Sequence, residues 1–376
     1  MGLSTRPRAV RIGVAFREVQ GFTAAEVDRA RRYHRPLYAA LVVDAVLGFG
    51  VLGVLAFSRL GEELYDPVEA WPWPLRTVAY AALVVAVGAL VRLPLGFWRG
   101  YVYERRWGFS TQRPREWAVD RAKGLAVAVV LTTLPVLALV ALVRALPRSW
   151  PLVAAPAAAG FVLVLGLLAP LVLEPVFNRF GPLGDEGLAA ELRALAARAG
   201  VPIREVLVAD ASRRTRKANA YVSGLGRTRR VVLFDTLLAR ADHGQVRLVV
   251  AHELGHRRAR HVAKATLLAM GGAAASVVVY WAVADAPGDP RSTPFLLLVA
   301  GALELAALPI LSAISRRWER HADRFSLELT GDRAAFERAH RELATANLAD
   351  LDPPRALYLL LFSHPTPPER LTAAGS

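Results

Sequence analysis

Six apolar runs, at about 37–57, 77–97, 124–146, 151–173, 262–283 and 294–314, stand out from the polar segments that separate them. Each approaches the roughly 20 residues a helix needs to cross a bilayer, so the pattern predicts six transmembrane helices. Between the fourth and fifth runs the periodicity changes. Residues 184–199 carry Leu188, Leu192 and Leu195 at helical spacing and are closed by Gly200 and Pro202. Residues 206–209 and 229–234 read as short strands rich in valine and leucine, and 219–224 alternates like an edge strand. The polar insert, about 180–243, is too small for an independent domain and reads as a cap folded against the bundle.

The fold class expected is therefore mainly α, a polytopic membrane bundle with a small α/β cap. The divisions are an N-terminal arm (1–36), four spans (37–173), the cap (174–243), a segment holding a further polar helix and the last two spans (244–330), and a C-terminal region (331–376). No apolar core suits a cleavable signal peptide: residues 10–16 are too short and are broken by Arg11. Three ionisable residues fall within the runs, Asp44, Arg92 and Glu304. At such depth the expectation is an interior position and pairing.

Charge orients the bundle. The arm is basic (Arg6, Arg8, Arg11, Arg17, Arg29, Arg31, Arg32, Arg35), whereas 58–76 is acid-rich (Glu62, Glu63, Asp66, Glu69). Residues 98–123 are basic again, 174–261 strongly so, 284–293 carries Asp285 and Asp289, and the tail from Arg316 starts basic. Every second connection is positive, which places both termini and the cap in the cytoplasm. That alternation explains the net charge of +15 better than nucleic acid does, because no aromatic-interleaved basic surface accompanies it. The run Arg213-Arg214-Thr215-Arg216-Lys217 reads as attraction for anionic headgroups or as part of the same charge bias. With 54% hydrophobic residues among 376, the chain is too apolar for a soluble domain. Arginine is abundant and only Lys123, Lys217 and Lys264 are lysines, a usage that suggests a bacterial source. Cysteine is absent, so any metal must use histidine, carboxylate or water.

Just before the fifth run stands Val250-Ala251-His252-Glu253-Leu254-Gly255-His256, an H-E-x-x-H motif. At about 100° per residue, His252 and His256 lie about 40° apart on one helix face. Two imidazoles there can hold one zinc ion, with Glu253 in reach of the attacking water. A catalytic zinc needs a third protein ligand. His261 is nine residues beyond His252, about 180° round a continuous helix, and no glycine turn brings it back, so it reads as an interfacial or solvated histidine. The better candidate follows the sixth run, in Trp318-Glu319-Arg320-His321-Ala322-Asp323. Glu319 can complete the site, while Asp323, on the same face, can accept the second N–H of a ligating imidazole. Standing alone, this segment has as its lesser alternative a helix laced with Glu–Arg pairs.

These features together resemble the integral-membrane zinc metalloproteases of the type I CAAX prenyl protease group. The resemblance runs through Trp107-Gly108-Phe109-Ser110-Thr111-Gln112 with Trp117, Asp120 and Lys123, then Glu174-Pro175-Val176-Phe177-Asn178-Arg179-Phe180. It continues through Asn219-Ala220-Tyr221-Val222-Ser223-Gly224-Leu225-Gly226, the stretch from Arg230 to Leu238, both metal motifs and Ser363-His364-Pro365. It implies one zinc per chain on His252, His256 and Glu319, Glu253 as base, His364 donating to the developing oxyanion, and substrate contacts at Asn219 and Arg370. It also implies a chamber enclosed by the spans, and a peptide or protein substrate, lipidated or membrane-anchored, met among membrane lipids. Eukaryotic members look like seven-span proteins, and the first of those spans has no counterpart here; a bacterial source also leaves the prenylated substrate open. The residues alone leave room for a quality-control protease, or for a transporter or idle scaffold of the same fold.

Overall fold

The computed structural model describes residue 19 and residues 21–224 and 226–375. Arg6, Arg8, Arg11, Arg17 and the 10–16 segment lie outside the described residues. Six helices are long and apolar enough to cross a membrane: α1 (Ala24–Phe57), α2 (Trp73–Phe97), α3 (Pro114–Ala145), α4 (Trp150–Leu168), and, after the cap, α7 (His261–Val283) and α8 (Thr293–Thr330). Helix α1 starts well before its apolar run because Thr23 and Glu26 form a reciprocal capping box, extending a polar helix out of the span.

Each span packs on the next, α1 on α2, α2 on α3, α3 on α4, α4 on α7 and α7 on α8, and α8 returns to α1. The six helices thus close a ring. No more than 17% of any span's apolar window is buried, so the spans leave most of their apolar surface accessible rather than packing into a solid bundle. Asp44 and Arg92 pair, as expected, through Nε at 2.8 Å and Nη2 at 2.5 Å, although the Arg92 side chain is exposed. Glu304 departs from that expectation: it is exposed, with no ion-pair partner among the described residues.

The cap holds β1 (Phe180–Pro182), α5 (Glu186–Arg198), β2 (Glu205–Ala209), β3 (Ala220–Ser223) and β4 (Arg230–Phe234). Sheet order is β1-β2-β4-β3, with β2 and β4 parallel and both outer pairs antiparallel, so β3 is an edge strand. Helix α6 (His243–Arg258), capped by Asp242 and Gln245, shares one core with the sheet and α5, built on Leu192, Val206, Leu233, Val250 and Leu254. Glu174, at the exit of α4, fastens the cap to the bundle by accepting hydrogen bonds from Ser223 Oγ at 2.7 Å and Arg230 Nη2 at 3.1 Å. The basic run is largely tied down. Arg213 reaches the Phe177 carbonyl (3.1 Å), Arg214 bonds Asn178, and Lys217 pairs with Glu104 at 2.8 Å. Its charges join cap to bundle, which a reading as a free headgroup patch does not capture.

Candidate active site

Helix α6 carries the H-E-x-x-H residues and packs directly on the polar extension of α8, which carries Glu319 and Asp323. Close approach is possible because residue 255 is glycine: a Cβ there would sit 3.1 Å from Phe325 Cδ1 and 3.2 Å from Ala322 Cα. The result is a tight constellation. His252 Nε2 lies 3.3 Å from Glu319 Oε2, His256 Nε2 lies 3.3 Å from Glu319 Oε1, and the two Nε2 atoms are 3.1 Å apart. One donor atom from each residue falls within 4.8 Å of the others.

The surroundings fit a cation. Glu319 Oε2 is buried and makes no hydrogen bond of good geometry, its polar neighbour being His252 Nε2 at 3.3 Å, a deficit that buried polar atoms rarely carry. Burial disfavours a charged imidazole at His252, yet hydrogen bonds to Asp323 and Glu319 outweigh it and raise the pKa to about 9. With Asp323 already paired to Arg370, the Glu319 carboxylate buried between the two imidazoles is the charge that a divalent ion would neutralise. The donor set, two nitrogens and one carboxylate, is that of a three-ligand catalytic zinc site.

Support behind these residues is layered. Asp323 accepts from His252 Nδ1 at 2.9 Å and from Arg370 Nε at 2.8 Å, with Arg370 Nη2 also bonded to it; His340 Nε2 stands 3.7 Å away. Arg370 is thus committed to Asp323, and also lines the cavity described below. Burial depresses His340, with Arg370 adding to the effect, to about 4. Glu253 is pushed above the ordinary carboxylate range, first by burial.

The C-terminal region, which the sequence left unresolved into elements, delivers the remaining residues. Helix α9 (Arg333–Ala346) carries His340; α10 (Arg355–Leu361) leads to His364, and α11 (Pro367–Gly375) carries Arg370. Arg316 anchors the end of α10 by donating to the carbonyls of Tyr358 (3.0 Å) and Phe362 (2.6 Å). His364 Nε2 then reaches 3.3 Å from Glu319 Oε1, and its Nδ1 faces Ser363 Oγ at 2.8 Å. Asn219 stands at the start of the edge strand, held through its neighbour: Asn347 both accepts from Ala218 N and donates to Ala218 O at 3.0 Å. A cavity of about 620 Å³ joins Asn219, His252, Glu253, Glu319, His364 and Arg370.

One expectation fails. His261 is neither solvated nor turned away: it is buried, with Nδ1 3.1 Å from His256 Nδ1. The helix does not continue as assumed. Arg260 adopts a left-handed conformation (φ 56°) and starts a new helix axis at His261. A left-handed arginine carries no sequence signature of the kind glycine or asparagine gives. The only hint was the change from the polar 257–261 stretch to the apolar run at 262. Asn347 and His340 were missed as well, since nothing local to them signals a site.

With this geometry in place, the comparisons with known proteins decide the family. Residues 182–376 match Peptidase family M48, and residues 14–179 match the CAAX prenyl protease N-terminal region described as five membrane helices. The chain belongs to peptidase family M48. It is similar to an uncharacterized metalloprotease, YhfN, of Bacillus subtilis, 29% identical over 99% of this chain and 91% of that protein. It is also similar to CAAX prenyl protease 1 of Saccharomyces cerevisiae, 29% identical over 79% of this chain and 72% of that one. The crystal structure of S. mikatae Ste24p shares the fold, with a TM-score of 0.83 at 23% identity over 94% of this chain and 90% of that one. This M48 peptidase is an integral membrane metalloprotease acting on a peptide or protein substrate, and its family implies a metal. Four of its six spans fall within the region matched by the five-helix description.

Proposed function

We propose that the chain is a zinc endopeptidase whose ion is held by His252 Nε2, His256 Nε2 and Glu319, and whose active site opens toward the cytoplasm. The observation that carries this is the meeting of donor atoms from His252, His256 and the buried Glu319 on two distant helices, all within 4.8 Å of one another. Zinc bound there supplies Lewis acidity, polarising the scissile carbonyl and acidifying water. Glu253, with its raised pKa, takes the proton of the attacking water and returns it to the leaving amine. Ser363 Oγ–H donating to His364 Nδ1 leaves the proton on Nε2, the atom that faces the site, so a neutral His364 can donate to the carbonyl oxygen as charge develops.

Substrate lies extended along β3, the free edge beginning at Asn219, where backbone pairing gives affinity without demanding a sequence. Asn219 contacts the chain near the scissile bond. Arg370 contributes through Asp323 and from the cavity wall. The alternation of basic and acidic connections supports cytoplasmic placement of both termini, cap and site. Substrates are peptides or membrane-associated proteins, with or without a lipid group.

The test is cleavage of an extended fluorogenic peptide by detergent-purified protein, with and without a prenylated cysteine near its C-terminus. Activity should vanish on chelation and return with one equivalent of zinc. Cleavage that persists in metal-stripped protein would remove the reading.

A further inference from the structure

The two imidazoles of the site are supported from different sides. His252 Nδ1 is met by Asp323, and His256 Nδ1 is met by His261. Resting on the zinc reading above, we infer that His261 is a positioning residue: its Nδ1 accepts the Nδ1–H of His256 and fixes that ring with Nε2 aimed at the metal position.

Ligation through His256 Nε2 sets the direction. His256 Nε2 faces Glu319 and the other imidazole at 3.3 Å and 3.1 Å, so it is the ligating atom and must be unprotonated to bind a cation. The proton of neutral His256 is then on Nδ1. Only an acceptor can stand 3.1 Å from that atom, which places the His261 proton on Nε2. A protonated Nδ1 on both rings would set two donors against each other.

The geometry is constructed rather than incidental. The left-handed Arg260 returns the chain so that His261 opens α7 beside α6. Its ring stacks on Trp318 with centroids 5.0 Å apart and planes 9° from parallel, while the His321 ring meets it edge-on at 5.5 Å. Trp318 immediately precedes Glu319. The same turn of α8 therefore supplies a ligand and the platform that orients the acceptor behind another ligand. Partners of this kind orient ligating imidazoles and typically carry about 10–100-fold in metal affinity. A neutral imidazole acceptor is weaker than a carboxylate, so the effect belongs at the lower end, about tenfold.

The experiment separates hydrogen bonding from packing by zinc competition against a chromophoric chelator. His261→Phe keeps an aromatic ring on Trp318 and removes the acceptor. His261→Asn keeps an acceptor oxygen near the Nδ1 position and removes the stack. The expected result is about tenfold weaker zinc binding for the Phe variant, near-wild-type binding for Asn, and an altered visible spectrum of the cobalt-substituted Phe variant alone. Wild-type affinity in the Phe variant, or equal losses in Phe and Asn, would overturn the inference; His261→Leu replaces Phe if that variant does not elute as folded protein. His256→Ala is the control. If it binds zinc like wild type, the zinc reading itself has failed; if it loses zinc while the His261 variants do not, only this inference has.

Discussion

Asp323→Asn tests the support of the site most severely, because one carboxylate serves two different ends. Asp323 is buried and accepts from His252 Nδ1 at 2.9 Å and from Arg370 Nε at 2.8 Å. Losing the carboxylate behind a ligating imidazole costs about 10–100-fold in metal affinity, or about 1.4–2.7 kcal/mol at 1.36 kcal/mol per tenfold. Separately, the Arg370 side chain, 16% exposed, loses its counter-ion. Removing one member of a buried pair costs about 3–5 kcal/mol, discounted somewhat for the residual exposure of this one. The two effects come apart in the double variant. Asp323→Asn with Arg370→Gln removes the unpaired charge, so most of the stability should return, while zinc affinity stays low. Apparent Tm at fixed scan rate in detergent reads the first effect and chelator competition the second. The reasoning is refuted if Asp323→Asn binds zinc as wild type, or if the double variant is no more stable than the single one.

Further expectations follow from packing, titration and topology. Gly255→Val should force α6 off Ala322, where even a Cβ would sit at 3.2 Å; overpacking of this kind costs about 1–3 kcal/mol, and metal analysis should find zinc depleted because Glu319 moves with α8. His340 is depressed to about 4 from 6.5, so its contribution to stability is complete above 6.5 and is lost as pH falls toward 4. Tm should therefore drop between pH 7 and 5, by the equivalent of about 2 kcal/mol for this group, and His340→Asn should flatten part of that drop relative to wild type. Because the chain has no cysteine, single cysteines at Asp66 and Arg240 can report sidedness: an impermeant maleimide should label the first from outside intact cells and the second only after lysis. The opposite pattern would invert the proposed orientation.

Spans, cap and metal motif were legible for a common reason: each is written in local periodicity. Apolar runs gave six helices because a bilayer demands unbroken hydrophobic length, and residues 252–256 declare their geometry within one helical turn. Glu319 could be paired with them across 63 positions, 319 minus 256, only because two carboxylates at i, i+4 left a face without other purpose. What escaped was set by tertiary contact. The turn at Arg260 is imposed by packing of α6 and α7 against α8 with no glycine to announce it. Asn347 acts through the backbone of Ala218, 129 residues away, and His340 through Asp323. The basic run at 213–217 shows the same limit: its charge was plain, but its carbonyl and carboxylate partners lie on elements far removed in sequence.

The central claim is that Glu253 moves the proton in hydrolysis while His252, His256 and Glu319 hold the ion. Glu253→Gln, analysed for metal content and peptide turnover on one preparation, tests both halves together. The account predicts about one zinc per chain, as in wild type, with turnover reduced at least 100-fold, the lower bound typical for loss of a positioned general base. Near-wild-type turnover in a zinc-replete Glu253→Gln protein would contradict it.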